Sequence, residues 1–208
     1  MNKKTTVLFD FDGTIANSLP RLLEISNSFA EEYGYRQVRE DEIQLFREKT
    51  TLQTFRELKV PLLKVPTIAR KVKQAFRREA HLSQPYQGIK PLLAHLNPSY
   101  QLGILTSNTR QNVQQFLHQH QLEHFSFIYT SSNIFGKARV LKRILREKKL
   151  SVSEMIYVGD ELRDVNAARQ IGMDVIAVSW GANTKKALAM LRPTYLVDKP
   201  TEIIPLLI

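Results

Sequence analysis

The sequence predicts an α/β protein, a parallel sheet with crossover helices, interrupted by an all-helical insertion. Three observations carry this. Short apolar runs of strand length recur along the chain, helix-spaced apolar patterns alternate with them beyond residue 85, and residues 18–84 hold helix-spaced apolar positions with no convincing strand.

The candidate strands are Val7 to Phe11, Leu102 to Leu105, Phe127 to Tyr129, Met155 to Val158, Val175 to Val178 and Tyr195 to Val197. Apart from Asp10 in the first, these runs are continuous rather than alternating, the pattern of a strand covered on both faces. Between them, Arg110 to His120, Arg139 to Lys148 and Asp164 to Ile171 read as crossover helices. In the insertion, Leu22, Leu23, Ile25 and Phe29, then Ile43, Leu45 and Phe46, then Leu52, Phe55 and Leu58, then Ile68, Val72 and Phe76 recur at helical spacing. The insertion opens just after the first strand and closes near Pro85 and Gly88. The expected division is therefore 1–17 with 85–208 as the sheet domain and 18–84 as the helical one.

Composition narrows the function. The chain has 208 residues, 43% hydrophobic and 24% charged, the balance of a globular protein large enough to need no disulfide or structural metal. It has no cysteine, which excludes thiol catalysis, zinc thiolate sites, iron–sulfur clusters and disulfide frameworks. Lys3-Lys4 is followed only by Val7 to Phe9 before Asp10, so no secretory signal is read and a cytoplasmic protein is expected. The longest stretch without a charge, Pro91 to Thr109, contains His95, Asn97, Pro98 and Gln101 and does not read as a membrane span. The formal net charge is +10, and the densest basic tract is Lys137 to Lys149. Val140, Leu141, Ile144 and Leu145 interleave there at helical spacing, which favours a solvated helix face over a nucleic-acid groove.

Polar and acidic residues gather at the carboxyl ends of the predicted strands, where open parallel sheets place their ligands. Asp10 and Asp12 follow the first, Thr106, Ser107 and Asn108 the second, and Asp160, Glu161 and Asp164 the fourth. Two carboxylates in one pocket repel unless a cation or a shared proton intervenes, so a metal or an acid/base division of labour is expected at Asp10 and Asp12.

Val7-Leu8-Phe9-Asp10-Phe11-Asp12-Gly13-Thr14-Ile15 resembles the signature of the haloacid dehalogenase-like hydrolases, in their aspartate-dependent phosphatase branch. Gly103-Ile104-Leu105-Thr106-Ser107-Asn108 resembles the second motif of that family, Lys137 the third, and Tyr157-Val158-Gly159-Asp160-Glu161-Leu162-Arg163-Asp164 the fourth. The resemblance spans almost the whole chain. It implies a Rossmann-like parallel sheet core with an inserted all-helical cap of the phosphoglycolate phosphatase-like type. The short span from Thr106 to Lys137 leaves no room for a second cap.

What the resemblance implies is a phosphatase acting on a small phosphorylated metabolite with Mg²⁺. Asp10 is then the nucleophile, forming an aspartyl phosphate, and Asp12 the acid/base. Asp10, the main-chain carbonyl of Asp12 and Asp160 hold the metal, a donor set of oxygens that suits Mg²⁺. Thr106, the backbone N–H of Ser107 and Lys137 hold the phosphoryl oxygens. Gly13, Thr14 and Asn108 join Ser107 on the substrate, and Asp164, ahead of Glu161, supports the metal shell or Lys137.

Departures from the family pattern also inform. An Asp-Ser pair common soon after the first motif is Asn17-Ser18 here, which removes a charge from the hinge. Asp12 argues against dehalogenation. Leu19-Pro20-Arg21-Leu22-Leu23 lacks the histidine usual in phosphomutases, which leaves a mutase as the weaker enzymatic alternative. A non-catalytic nucleic-acid or protein-binding module on the phosphatase fold is the alternative from another class, and the full set Asp10, Asp12, Thr106, Lys137 and Asp160 speaks against it. Trp180 is read mainly as a core residue. Arg47-Glu48-Lys49-Thr50-Thr51 interrupts two helical patterns of the insertion and is expected either to present Arg47 or Lys49 to the substrate beyond its phosphate or to be a solvated turn.

Overall fold

The computed structural model describes residues 4–79, 83–131 and 136–207. Strand β1 (Thr6–Phe9) is buried along its whole length. It stops two residues short of the predicted end because the chain turns at once into a tight loop. Ile15 N–H and Ala16 N–H both bond Phe11 O at 2.9 and 3.0 Å, and Gly13 holds φ +84°, a conformation that favours glycine.

Two-residue strands β2 (Ala16–Asn17) and β3 (Gln84–Pro85) pair antiparallel, so the chain leaves the sheet for the cap and returns at adjacent points. The later strands are β4 (Gln101–Thr106), β5 (Phe127–Thr130), β6 (Met155–Gly159), β7 (Asp174–Val178) and β8 (Tyr195–Val197). With β1 they form a six-stranded sheet in the order β5-β4-β1-β6-β7-β8, parallel at every pairing. Strand β1 lies between β4 and β6, with Phe9 level with Ile104 on one side and Val158 on the other. Strand order reverses there, and a ligand crevice opens at the carboxyl ends of these three strands.

Between β2 and β3 run the cap helices α1 (Leu19–Ser28), α2 (Ala30–Tyr33), α3 (Ile43–Arg47), α4 (Thr51–Glu57) and α5 (Val65–Glu79). The sheet is flanked by α6 (Ile89–Leu96), α7 (Arg110–Gln119), α8 (Lys137–Lys148), α9 (Leu162–Arg169) and α10 (Lys185–Met190). Alternate residues of β1 point to opposite faces. Val7 and Phe9 join Leu92, Leu93 and Phe116 on one side, while Leu8 joins Leu141, Ile144, Tyr157 and Leu188 on the other. The cap has a much smaller core, in which Ile25 and Phe76 are buried with Leu22, Phe29 and Val72 packed around them. Leu45, Leu52, Leu62 and Leu63 of the cap remain exposed, so the helical spacing of Leu45 and Leu52 does not mark a buried stripe.

The basic tract behaves as a helix face. Lys137 turns inward and is buried, Arg143 lies over the Tyr129 ring at 5.1 Å and pairs with Glu147 at 3.3 Å, and Lys148 lies over the Phe127 ring at 4.6 Å. Trp180 packs against the core, and its Nε1–H donates to Thr14 O at 3.1 Å, so it also braces the loop after β1. No helix among the described residues is long and apolar enough to cross a membrane.

Burial separates two leucines that composition treats alike. Leu8→Ala leaves a cavity in the middle of the sheet and is expected to cost about 2–5 kcal/mol in urea unfolding. Leu63→Ala, at a side chain 98% exposed, is expected to stay within about 0.5 kcal/mol of the parent. Equal losses at the two positions contradict the core described here.

Candidate active site

Asp10 continues the line of β1, its N–H donating to Val158 O at 2.8 Å, and this delivers its carboxylate into the crevice. One oxygen accepts the Phe11 N–H at 2.7 Å and the other pairs with Lys137 Nζ. Lys137, the first residue of α8, pairs at the same time with Asp164 Oδ1. Its Nζ also stands 5.8 Å over the Tyr157 ring, whose hydroxyl donates to Asp164 Oδ1 at 3.2 Å. Asp164 in turn accepts the Glu161 N–H at 3.1 Å, and Glu161 pairs with Arg163. Asp164 therefore holds Lys137, while Glu161 is taken up by its neighbour.

Asp160 is fully buried and held on three sides. Thr14 Oγ1 donates to its Oδ1 at 2.7 Å, Ala182 N–H donates to its Oδ2 at 2.6 Å, and its main-chain oxygen accepts the Asn183 N–H at 3.2 Å. A Cβ at Gly13 or Gly181 would run into this carboxylate, so both glycines are required for its seat. Asp12, partly buried, accepts from Ser18 Oγ at 2.7 Å and from Asn108 Nδ2 at 3.1 Å. Thr106 Oγ1, buried at the end of β4, accepts the Asn108 N–H at 2.9 Å, which leaves its hydroxyl proton to be donated elsewhere.

The electrostatics follow from this crowding. Burial raises Asp10 to about 7, against the pull of Lys137 and with further upward pressure from Asp164. Burial also raises Asp12, opposed by the Ser18 and Asn108 hydrogen bonds, and it raises Asp160 well above the carboxylate range, with Glu161 and Asp10 adding to it. For Lys137 burial pulls downward, but Asp10 and Asp164 overrule it and keep the ammonium charged. On the cap, Lys73 of α5 is lowered by burial and by Arg163.

Oxygens of Asp10, Asp160 and Asp164 all lie within 4.8 Å of one another. Three buried carboxylates so close, facing one ammonium, fit a hard divalent cation held by oxygen donors. Of the metal set expected from sequence, Asp10 and Asp160 meet here. The Asp12 side chain does not join them, though its main-chain carbonyl accepts no backbone hydrogen bond among the described residues. Beside Lys137, Thr50 and Thr51 of the cap face Glu161, Arg163 and Asn183 across a cleft of about 290 Å³.

The structure adds partners for several of these residues. Thr14 and Asn108, expected on substrate, bond Asp160 and Asp12, and Gly13 lies against Asp160. Ser107 is half-buried with no side-chain hydrogen bond among the described residues and stays open to a ligand. Of the loop expected either to present Arg47 or Lys49 to the substrate or to be a solvated turn, Arg47 bonds main-chain oxygens of the core and Lys49 pairs with Glu57. Ser18, Tyr157 and Asn183 were not anticipated. Only Ser18 had a signal, a hydroxyl at the entry to the first cap helix.

Comparisons with known proteins bear on the family and the fold. The profile of the family described as haloacid dehalogenase-like hydrolase matches residues 7–178. A phosphoglycolate phosphatase of Synechococcus elongatus is 32% identical over 95% of this chain and 94% of its own length. Pyrophosphatase PpaX of Bacillus mycoides is 26% identical over 99% of this chain and 97% of its own. Among solved structures, a haloacid dehalogenase-like family hydrolase from Streptococcus pneumoniae superposes with a TM-score of 0.82 at 23% identity, covering 99% of each chain, which supports the fold.

Lys137→Met leaves Asp10 and Asp164 buried without their counter-charge, and at pH 8 it is expected to cost about 3–5 kcal/mol. Asp10, raised above its unfolded value, loses this penalty as pH falls and it takes up a proton. The deficit therefore shrinks toward pH 5. Urea titrations at both pH values check this, and a variant as stable as the parent at pH 8 contradicts the pairing.

Proposed function

The chain belongs to the haloacid dehalogenase-like hydrolases, as an enzyme of their phosphatase branch, and from that premise we propose that it hydrolyses a small phosphomonoester through an aspartyl phosphate on Asp10, with Mg²⁺ as cofactor. The observation that carries this reading is the meeting of Asp10, Lys137, Asp164 and Asp160 at the ends of β1 and β6, with Thr106 at the end of β4 beside them. A scaffold that only binds has no physical need for three buried carboxylates and an ammonium in one crevice.

Asp10 attacks phosphorus, and the bond to the leaving oxygen breaks. Asp12 carries the proton that this oxygen takes up. Burial pushes its carboxyl upward, toward the protonated form, against the Ser18 and Asn108 hydrogen bonds that hold it in place. In the second half Asp12, now ionised, takes a proton from water as the water oxygen attacks phosphorus, the Asp10–phosphorus bond breaks, and inorganic phosphate leaves. Lys137, the Thr106 hydroxyl and the Ser107 N–H hold the non-bridging oxygens, where charge builds as the phosphoryl group transfers. Asp10, the Asp12 carbonyl and Asp160 would hold Mg²⁺, and its positive charge would offset the repulsion between nucleophile and phosphate. Thr50 and Thr51 of the cap line the cleft beside Lys137, where a bound substrate would meet them.

The two curated relatives bear the names of enzymes for a phosphate ester and a phosphate anhydride. The test is a panel that includes p-nitrophenyl phosphate, 2-phosphoglycolate and pyrophosphate, with Mg²⁺ and with excess EDTA after dialysis. Release of phosphate from a monoester, abolished by EDTA, is expected. Asp12→Asn is expected to lose on the order of 10²–10⁴-fold in rate. Asp10→Asn is expected to lose turnover and the phosphate that rapid quench traps on the parent protein. Turnover in EDTA, or an active Asp10→Asn protein, overturns the reading.

A further inference from the structure

One short loop of the core touches both the cap and the candidate metal site. Residues 179–184 follow β7, and Arg47 at the end of α3 reaches across to them. Its Nη2 donates to Gly181 O at 2.9 Å and to Ser179 O at 3.2 Å, and its Nε donates to Ala182 O at 3.4 Å. The core answers in kind. Asn183 Nδ2 donates to Arg47 O at 2.8 Å and Lys49 O at 3.1 Å, and Thr184 N–H donates to Arg47 O at 3.0 Å.

The same few residues seat Asp160. Ala182, whose carbonyl accepts from Arg47, gives its N–H to Asp160 Oδ2. Gly181, whose carbonyl accepts from Arg47, is where a Cβ would displace the Asp160 side chain. Asn183, buried, bonds Asp160 O through its N–H, while its Oδ1 accepts the Leu162 N–H at 2.9 Å at the start of α9. A peptide unit has little freedom between its two ends. Tilting the 181–182 carbonyls toward or away from Arg47 therefore moves the N–H that holds Asp160.

We propose that Arg47 and Asn183 are positioning residues that clasp the cap to the 179–184 loop, so that seating of the cap and placement of Asp160 are coupled. The proposal rests on the reading of Asp160 as a Mg²⁺ ligand. Coupling of this kind is reciprocal: whatever holds Asp160 in its cation-binding position also favours the docked cap, and the docked cap strengthens cation binding by the same factor. Arg47 then acts on the reaction without touching substrate. The solvated turn and the substrate contact expected for this loop both give way to an attachment point.

The experiment is calorimetric titration of the whole protein with Mg²⁺ alone, with no substrate present. Arg47→Ala is expected to weaken Mg²⁺ binding roughly 5-fold or more, the lower end of ordinary coupling strengths, with an unchanged melting temperature before Mg²⁺ is added. Arg47→Lys, which keeps the charge but lacks the planar fork that spans several carbonyls, is expected to fall between the two. It also serves if the alanine variant folds poorly. Lys186→Ala removes an exposed pair with Glu48 at 3.3 Å, on the same seam but without a bond to the 179–183 carbonyls, and is expected to bind Mg²⁺ within twofold of the parent. Parental affinity in Arg47→Ala overturns the coupling even if KM rises, as does an equal loss in Lys186→Ala. A parent protein that takes up no Mg²⁺ overturns the underlying reading as well, and that result is read before any variant is compared.

Discussion

Everything at the crevice depends on a charge imbalance that folding has to tolerate. Asp10, Asp160 and Asp164 are buried within 4.8 Å of one another, and the ammonium placed among them is that of Lys137. Lys137 itself stands at a difficult place, the first residue of a helix, where the backbone dipole disfavours a cation. Its two carboxylate partners make that position stable, and it makes theirs tolerable. Burial, with neighbouring carboxylates adding to it, still pushes the Asp10 and Asp160 carboxyls upward, a condition that a divalent cation would relieve.

The surrounding architecture can be read as support for these four charges. The reversal of strand order at β1 brings Asp10, Asp160 and Thr106 to one crevice from three adjacent strands. The loop after β1 and the loop after β7 then lean on each other around Asp160, through Thr14 and Ala182 directly and through the Trp180 bond to Thr14 O. Gly13 and Gly181 make the close approach possible from opposite sides. A rigid seat of this kind limits the reorganisation needed when charge develops, the main source of catalytic stabilisation in phosphoryl transfer.

The parts visible in the sequence are those with a local cause. Strands β1 and β4 to β8 announce themselves because burial on both faces demands continuous apolar runs, and α7 to α9 because one buried stripe demands helical spacing. Asp10, Asp12, Thr106 and Asp160 were legible because a polar residue straight after an apolar strand has few structural reasons to be there. The partners of those residues were not. Thr14 meets Asp160 across 146 positions of sequence and Arg47 meets Gly181 across 134, and no spacing rule encodes such meetings. In the cap, α3 and α4 span five and seven residues, too few turns for an apolar stripe to declare itself, and Leu45 and Leu52 point outward.

The contrast between the two halves of the molecule bears on how the enzyme works. The sheet packs two full layers of side chains, whereas the described residues of the cap bury a short set, Ile25, Ala30, Leu58, Ile68 and Phe76, and leave several leucines in water. A segment with so small a core contributes little binding energy of its own to a docked position, and low local stability is what a moving element requires. Its docked position is then set by polar contacts with the core, and the densest group of these ends on the loop that seats Asp160. Hydrogen bonds between a guanidinium and carbonyls exchange readily with water, so such an attachment can open for substrate and close over it without unfolding either half. An apolar seam of equal strength would expose hydrophobic surface at every opening. On the coupling proposed for Arg47 and Asn183, a polar seam would instead pass each opening on to the loop that seats Asp160.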